Sequence, residues 1–286
     1  MSVIAINYAD DKFESARQYN TKTALKKGHV DRVIEYSIRD LDESFKIRNK
    51  NILAKEKGAG CMIWKPYIIV KALEEIENGD YLVYCDSGAV YLKNMNILIE
   101  FINKTNQDIL FFGPHGTSKE WTKRDIFVAL DADTDKYHNS EMNMSGFLII
   151  RNSPNTRTIM QEWLDCCQVD TIITDEENKL GKENYKEFIA NRHDQSILNI
   201  VRVRHDYPLF RDPSQWGFDN KISNEMNHWI KSKTLKRKEL DFPKVIFCHR
   251  KAYFNNRIFI SVLLEYYFPF AYKVIIGIKS LLKTNG

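Results

Sequence analysis

The sequence predicts an α/β fold, a mixed and mostly parallel sheet flanked by helices, with an amphipathic helical tail at the C-terminus. Three observations carry this expectation. The chain opens as strand, helix, strand. Short apolar runs of strand length then alternate with longer stretches of helical periodicity. Several of these runs end in polar loops, where open α/β sheets place their ligands.

Taken in order, SVIAINYA reads as a buried first strand, residues 12–27 as a helix, and Val30 to Tyr36 as a second strand. Within WKPYIIVKALEEIENG, Ile69, Leu73 and Ile76 recur at helical spacing, with Pro66 near the helix start and Gly79 beyond its end. That helix leads into DYLVYCDSG, an apolar strand ending in Asp86, Ser87 and Gly88. DILFFGPHG is another strand, and SKEWTKRD leads into a further helix. SGFLIIRN resumes the sheet, and NTRTIMQEWLDCC places Ile159, Trp163, Leu164 and Cys167 on one helical face. His193, Asp194 and Gln195 open the apolar run SILNIV at a helix N-terminus, and the apolar run PKVIF precedes His249. No internal repeat or long linker interrupts residues 1–257, which are expected to form one unit.

Residues 258–286 differ. Glu265, Pro269, Lys273 and Lys279 break up the apolar run, which argues against a clean span of about 20 apolar residues. Val274, Ile275, Ile278, Leu281 and Leu282 share one face, as suits a helix lying on the cytoplasmic face of a membrane; packing on the protein's own body or on a second copy is the alternative.

Composition bounds the function classes. The chain is 43% hydrophobic and 28% charged, ordinary for a folded globular protein. Between Trp229 and Arg257 nine Lys or Arg face only Glu239 and Asp241, which points to an anionic ligand or surface. No nucleic-acid-reading motif accompanies that charge, so nucleic acid is not an expected partner. The five cysteines form no CxxC pair and the N-terminus lacks the features of a secretory signal, so a reducing, cytoplasmic setting without zinc is expected.

The chemistry centres on Asp86. A carboxylate at a strand end, beside a polar turn, can hold a metal or a ribose hydroxyl; carboxylates at i and i+2 would do so jointly, but Gly88 stands in the second position. Asp131-Ala132-Asp133 satisfies the literal DxD pattern, yet it follows a stretch that reads as helix, where i and i+2 side chains diverge. Tyr8 and Trp64 offer aromatic faces for a base or sugar, and equally suit a core.

A run of ordered motifs carries a family resemblance. Gly58, Gly60, Trp64, Lys65, Pro66 and Tyr67 are followed by Tyr84, Asp86, Ser87 and Gly88, then Thr122 to Asp125, Arg192 to Ser196, and Arg211 to Gln215. In these the sequence resembles the GT-A (Rossmann-like) glycosyltransferases, in particular a bacterial group with WKPY-like and YxDAG-like segments. Asp194, Gln195, Ile197, Leu198 and Asn199 are also loosely similar to family-8 glycosyltransferases, as is Ser145-Gly146 at a strand start, although Asn143 lies one position early.

The resemblance implies a hexosyltransferase using a nucleotide-diphosphate sugar, a UDP-sugar being the expected donor, and a saccharide or lipid-linked saccharide acceptor in surface polysaccharide synthesis. It implies that Asp86 and His249 hold Mn²⁺ or Mg²⁺ and that Lys65, Arg250 and Lys251 add charge at the diphosphate. Asn7, Tyr8 and Ser87 would contact the nucleotide, and Trp64, Lys123, Arg124, Asp125, Ser145, Gly146 and His193 the substrates. Asp194 would contact the donor sugar and Gln195 the region of the anomeric carbon, with retention and inversion both open. Two other readings compete: a haloacid-dehalogenase-like phosphohydrolase with Asp86 as nucleophile, for which Gly88 removes the general acid, and a non-catalytic nucleotide-binding protein at a membrane.

Overall fold

The computed structural model of the chain describes residues 1–113, 116–218 and 242–268. Its main sheet has six strands in the order β2-β1-β3-β6-β5-β7: β1 Val3–Tyr8, β2 Arg32–Tyr36, β3 Tyr81–Cys85, β5 Ile109–Gly113, β6 Phe147–Arg151 and β7 Leu209–Arg211. β1 runs parallel to β2 and β3, and β5 parallel to β7, while β6 lies antiparallel between β3 and β5. The mixed, mostly parallel α/β architecture follows the sequence expectation.

Strand periodicity explains why helices cover both faces. On one face Ile4, Ile6, Leu82, Tyr84, Phe111, Leu148 and Ile150 pack against the helices Trp64–Glu75, Pro154–Cys167 and Asp194–Arg204. The alternate residues Val3, Ala5, Val83, Cys85, Leu110, Phe112, Phe147 and Ile149 pack against the helix Asn96–Thr105 and the segment Phe242–Ile246. Side chains alternate across a strand, so apolar residues at every position require a cover on each side.

A second, two-stranded sheet pairs β4 Ala89–Tyr91 with β8 Ile246–Cys248, antiparallel, with Ala89 opposite Cys248. It pins the segment after β8 to the turn after Asp86. The final described helix, Asn256–Tyr267, is capped by Asn255, whose Oδ1 accepts from the Ile258 amide. Its Ile258, Phe259, Val262 and Leu263 pack on Val90, Phe247 and Phe254, so the start of the C-terminal segment belongs to the body. The amphipathic face at Val274, Ile275, Ile278, Leu281 and Leu282 lies outside the described residues, as does most of the basic stretch after Trp229. Among the described residues no helix is long and apolar enough to cross a membrane.

Candidate active site

Four separate segments meet at the carboxyl ends of β1 and β3. Asp86 follows β3, and its amide donates to the carbonyl of Gly146, which directly precedes antiparallel β6. Gly146 is required there by close approach: a Cβ at this position would lie 2.7 Å from Asp86 Oδ2. The other oxygen of that carboxylate, Oδ1, accepts a 2.5 Å hydrogen bond from the Tyr84 hydroxyl two residues earlier on the same strand.

Lys65 enters from the first turn of the helix Trp64–Glu75. Its side chain is 1% exposed, and Nζ lies 3.1 Å from Asp194 Oδ2, 3.6 Å from Asp86 Oδ1 and 3.1 Å from Ser145 Oγ, to which it donates. An ammonium this deeply buried is tolerated only when paired. Burial opposes its charge, but the two carboxylates outweigh that penalty and hold its pKa above the ordinary lysine value. Asp194, 2% exposed in its side chain, is pushed upward by burial and pulled back by Lys65. Asp86 keeps 42% of its side chain exposed, so the cluster presents one carboxylate to solvent while its cation stays inside.

Asp194 opens the helix Asp194–Arg204, where a negative charge suits the N-terminal end of the helix dipole. Its carbonyl accepts from Trp163 Nε1 at 2.9 Å. The preceding His193 has φ 50° and ψ −116°, a backbone conformation disfavoured for a side-chain-bearing residue, and its Nε2 sits 2.9 Å from Asp175 Oδ1. Gln195 Nε2 donates to the Asn143 carbonyl at 2.7 Å, and the Oδ1 of Asn143 is buried without a hydrogen-bond partner.

The placement of Lys65 depends on an unusual turn. Gly58, Ala59, Gly60, Cys61 and Met62 all have positive φ, a short left-handed coil that L-residues resist. Backbone bonds from Gly60 N to the Lys55 carbonyl and from Cys61 N to the Lys57 carbonyl, both 2.8 Å, close it, and Trp64 Nε1 donates to the Gly58 carbonyl at 3.1 Å. Trp64 then stacks on Tyr8 with ring centroids 3.8 Å apart and planes 12° from parallel. Each ring therefore covers a face of the other, and both are buried.

The remaining expected contacts distribute differently. Asn7 is fully buried and its amide nitrogen donates to Asn20 and Thr21; Ser87 Oγ donates to the Tyr8 carbonyl at 2.5 Å. Both thereby tie the end of β1 to its neighbours. The structure does not gather Lys123, Arg124 and Asp125 at Lys65. Lys123 Nζ donates to the carbonyls of Thr171, Thr174 and Glu176, and Asp125 accepts from the amides of Lys179 and Leu180. Arg124 pairs with Asp133 at 2.9 Å and stacks over Tyr185. These three clamp the loop of residues 170–185. Asp133 is also held by His138 and Lys182, which hold its pKa down at about 2 against the upward push of burial, so the literal DxD is a structural ion-pair node.

The residues proposed for a metal do not fit one. A Cβ at Gly88 would lie 3.2 Å from Arg250 Cα, so the backbone after β8 occupies the space a second carboxylate would need. His249 stacks on Phe254 at 3.5 Å, and its Nδ1 accepts from the Lys251 amide at 3.0 Å. With Nδ1 used as an acceptor, the neutral ring carries its proton on Nε2, which leaves no lone pair there for a metal. That Nε2 is buried without a hydrogen-bond partner. Among the described residues no group of three or more His, Cys, Asp or Glu could hold a metal ion. The expected Asp86–His249 metal pair is corrected on these grounds.

Arg192 is the residue whose role sequence reasoning missed. Its guanidinium lies 3.8 Å from the centroid of the Trp121 ring, two residues before Asp194. The only sequence signal was its place in the RHDQS motif.

No family model matches the chain, and no curated protein matches it. Among solved structures the chain is similar to apo-form glycosyltransferase GlyE of Streptococcus pneumoniae TIGR4, at 16% identity over 90% of this chain and 55% of GlyE, with a TM-score of 0.41. It is similar to mouse xyloside xylosyltransferase 1 in its apo form, at 9% identity over 86% of this chain and 96% of that one, with a TM-score of 0.44. A third is the apo bifunctional glycosyltransferase WbbM, at 11% identity over 86% of this chain and 45% of WbbM, with a TM-score of 0.45. The chain spans about half the length of GlyE and of WbbM.

Proposed function

We propose that this chain is a glycosyltransferase that binds a nucleotide-diphosphate sugar at the Lys65–Asp86–Asp194 cluster. One observation carries the reading: motifs lying far apart in sequence, WKPY, YCDSG, the Ser145-Gly146 strand start and RHDQS, converge so that Lys65 Nζ reaches Asp86, Ser145 and Asp194 within 3.6 Å. The same motifs carry the resemblance to glycosyltransferases, and nothing in secondary structure alone obliges them to meet.

In this reading the exposed Asp86 carboxylate accepts hydrogen bonds from donor hydroxyls, and Lys65 fixes its orientation while Tyr84 occupies Oδ1. Asp194, held at a helix N-terminus, accepts from the donor sugar, and Gln195 lies beside the anomeric carbon. Transfer breaks the bond between that carbon and a diphosphate oxygen, which keeps the electron pair. The acceptor hydroxyl oxygen bonds the carbon, and its proton passes to Asp194 for inversion or to the departing diphosphate for retention. A UDP-sugar donor and a lipid-linked saccharide acceptor are the expected pair.

The phosphohydrolase reading loses ground at Gly88, where the Arg250 backbone leaves no room for the side chain of a general acid. The test is incubation of the full chain with a panel of nucleotide sugars, monitoring nucleoside diphosphate release. Asp86→Asn keeps the shape and removes the charge, and a loss of about 10²-fold or more in turnover is expected, the scale seen when one strong polar contact to a reacting centre is removed. Full turnover by this variant, or release of inorganic phosphate in place of nucleoside diphosphate, would refute the proposal.

A further inference from the structure

A donor site that lacks metal ligands still has to hold a diphosphate, and two guanidinium groups stand beside the cluster. Arg192 lies over Trp121, and Arg250 lies 4.3 Å from the centroid of the Trp216 ring. They approach from different walls. The Arg250 amide donates to the Gly88 carbonyl at 2.8 Å, two residues from Asp86. The Arg192 amide is held by the Trp121 carbonyl at 3.2 Å and Ser196 Oγ at 3.1 Å, at the start of the Asp194 helix.

Trp216 is fixed in turn by its neighbour Gln215, whose side chain exchanges two hydrogen bonds with the backbone of Cys248, at 2.8 and 2.9 Å. Each guanidinium is therefore braced flat against an indole on a rigid element. Among the described residues neither one forms an ion pair with a carboxylate. Burial first, and then the like charge of Arg250, lowers Arg192 to about 10. A buried arginine facing a second arginine is unfavourable unless an anion joins them. Planar guanidiniums with free N–H edges match phosphate oxygens bidentately.

We infer that Arg192 and Arg250 form the subsite for the diphosphate of the donor and that their fixed charges replace a divalent ion there. This rests on the glycosyltransferase reading, but the subsite can be tested apart from turnover. The probes are UDP and inorganic pyrophosphate, titrated calorimetrically into the full chain in EDTA and again with Mn²⁺. Binding of both in EDTA is expected, little changed by Mn²⁺. Arg250→Gln, on an exposed side chain, should weaken both probes about tenfold or more, and Arg192→Gln with it should abolish binding. Arg250→Lys should recover part of the loss, and unchanged near-UV dichroism of Arg250→Gln shows that the fold is intact.

Strict dependence on Mn²⁺, wild-type affinity in Arg250→Gln, or no binding of either probe would overturn the inference. If pyrophosphate binds in EDTA through the arginines but no nucleotide sugar turns over, the transferase reading fails and the subsite stands. If turnover needs a divalent ion and ignores both arginines, the subsite fails and the transferase reading stands.

Discussion

At the scale of single residues, His249 shows how one buried ring can shape the protein's response to acid. Burial, with a smaller contribution from Lys251, pushes its pKa down to about 3. An unfolded histidine titrates near 6.5, so the unfolded chain binds a proton that the folded ring refuses. Stability from this source is fully present above about pH 6.5 and declines as pH falls toward 3, by up to about 1.4 kcal/mol per unit. His249→Phe keeps a ring to stack on Phe254 and removes the titration. Between pH 7 and 5, urea unfolding of the wild type should lose about 1–2 kcal/mol more than the variant. Parallel pH slopes would remove His249 from the account. At this scale the sequence exposed part of the site. Asp86 could be read from its place at a strand end, and Lys65 and Asp194 from the motif resemblance. That Lys65 lies between the two carboxylates is tertiary, decided by two helices approaching the same sheet end. The tautomer of His249 depended on the backbone two residues later, which no spacing pattern reveals.

At the scale of elements, the left-handed coil of residues 58–62 sets the entry of the helix that carries Lys65. Gly60 has φ 93°, and a Cβ there would meet Leu53 Cα at 2.8 Å, a backbone atom that cannot swing aside. Gly60→Ala should lower stability by about 1–3 kcal/mol or more. Gly181 serves as control, since its φ is 78° but nothing lies within 4 Å of its added Cβ. Gly60→Ala should therefore lower the thermal midpoint clearly more than Gly181→Ala, and equal shifts would show that the packing against Leu53 is unimportant. The elements themselves were legible where periodicity was long: β1, β3, β5 and β6 and the helices Trp64–Glu75 and Pro154–Cys167 follow from apolar spacing. β4 and β8 were not, because three residues of strand are too short to show a period and their pairing joins segments more than 150 residues apart. The left-handed coil was visible only as two glycines, since Ala59, Cys61 and Met62 carry no sign of positive φ.

At the scale of the whole molecule, the C-terminal segment divides at the end of the helix Asn256–Tyr267. The start of that helix packs on Val90, Phe247 and Phe254, so a cut after Arg257 would damage the body. A cut after Phe268 removes only the segment whose sequence is amphipathic. If that segment binds membrane, deleting residues 269–286 should leave the thermal midpoint unchanged and reduce co-sedimentation with anionic phospholipid vesicles by roughly the affinity one interfacial helix supplies. Unchanged co-sedimentation would assign the segment another role. Fold class was legible at this scale because alternating strand and helix patterns admit few arrangements. The direction of β6 was not, since an apolar run reads the same in either orientation.

That direction has a consequence for how the protein is made. β5 hydrogen-bonds to β6 and β7, and β3 to β1 and β6, so β6 is the bridge between the two halves of the sheet. As the chain leaves the ribosome, β5 therefore has no partner until residues 147–151 emerge, and the Lys65 ammonium has none of its Asp194 counter-charge until later still. The nascent N-terminal half carries Asp86, a lysine destined for burial and an unpaired apolar strand, and it must be kept from aggregating through nearly half of synthesis before the sheet can close.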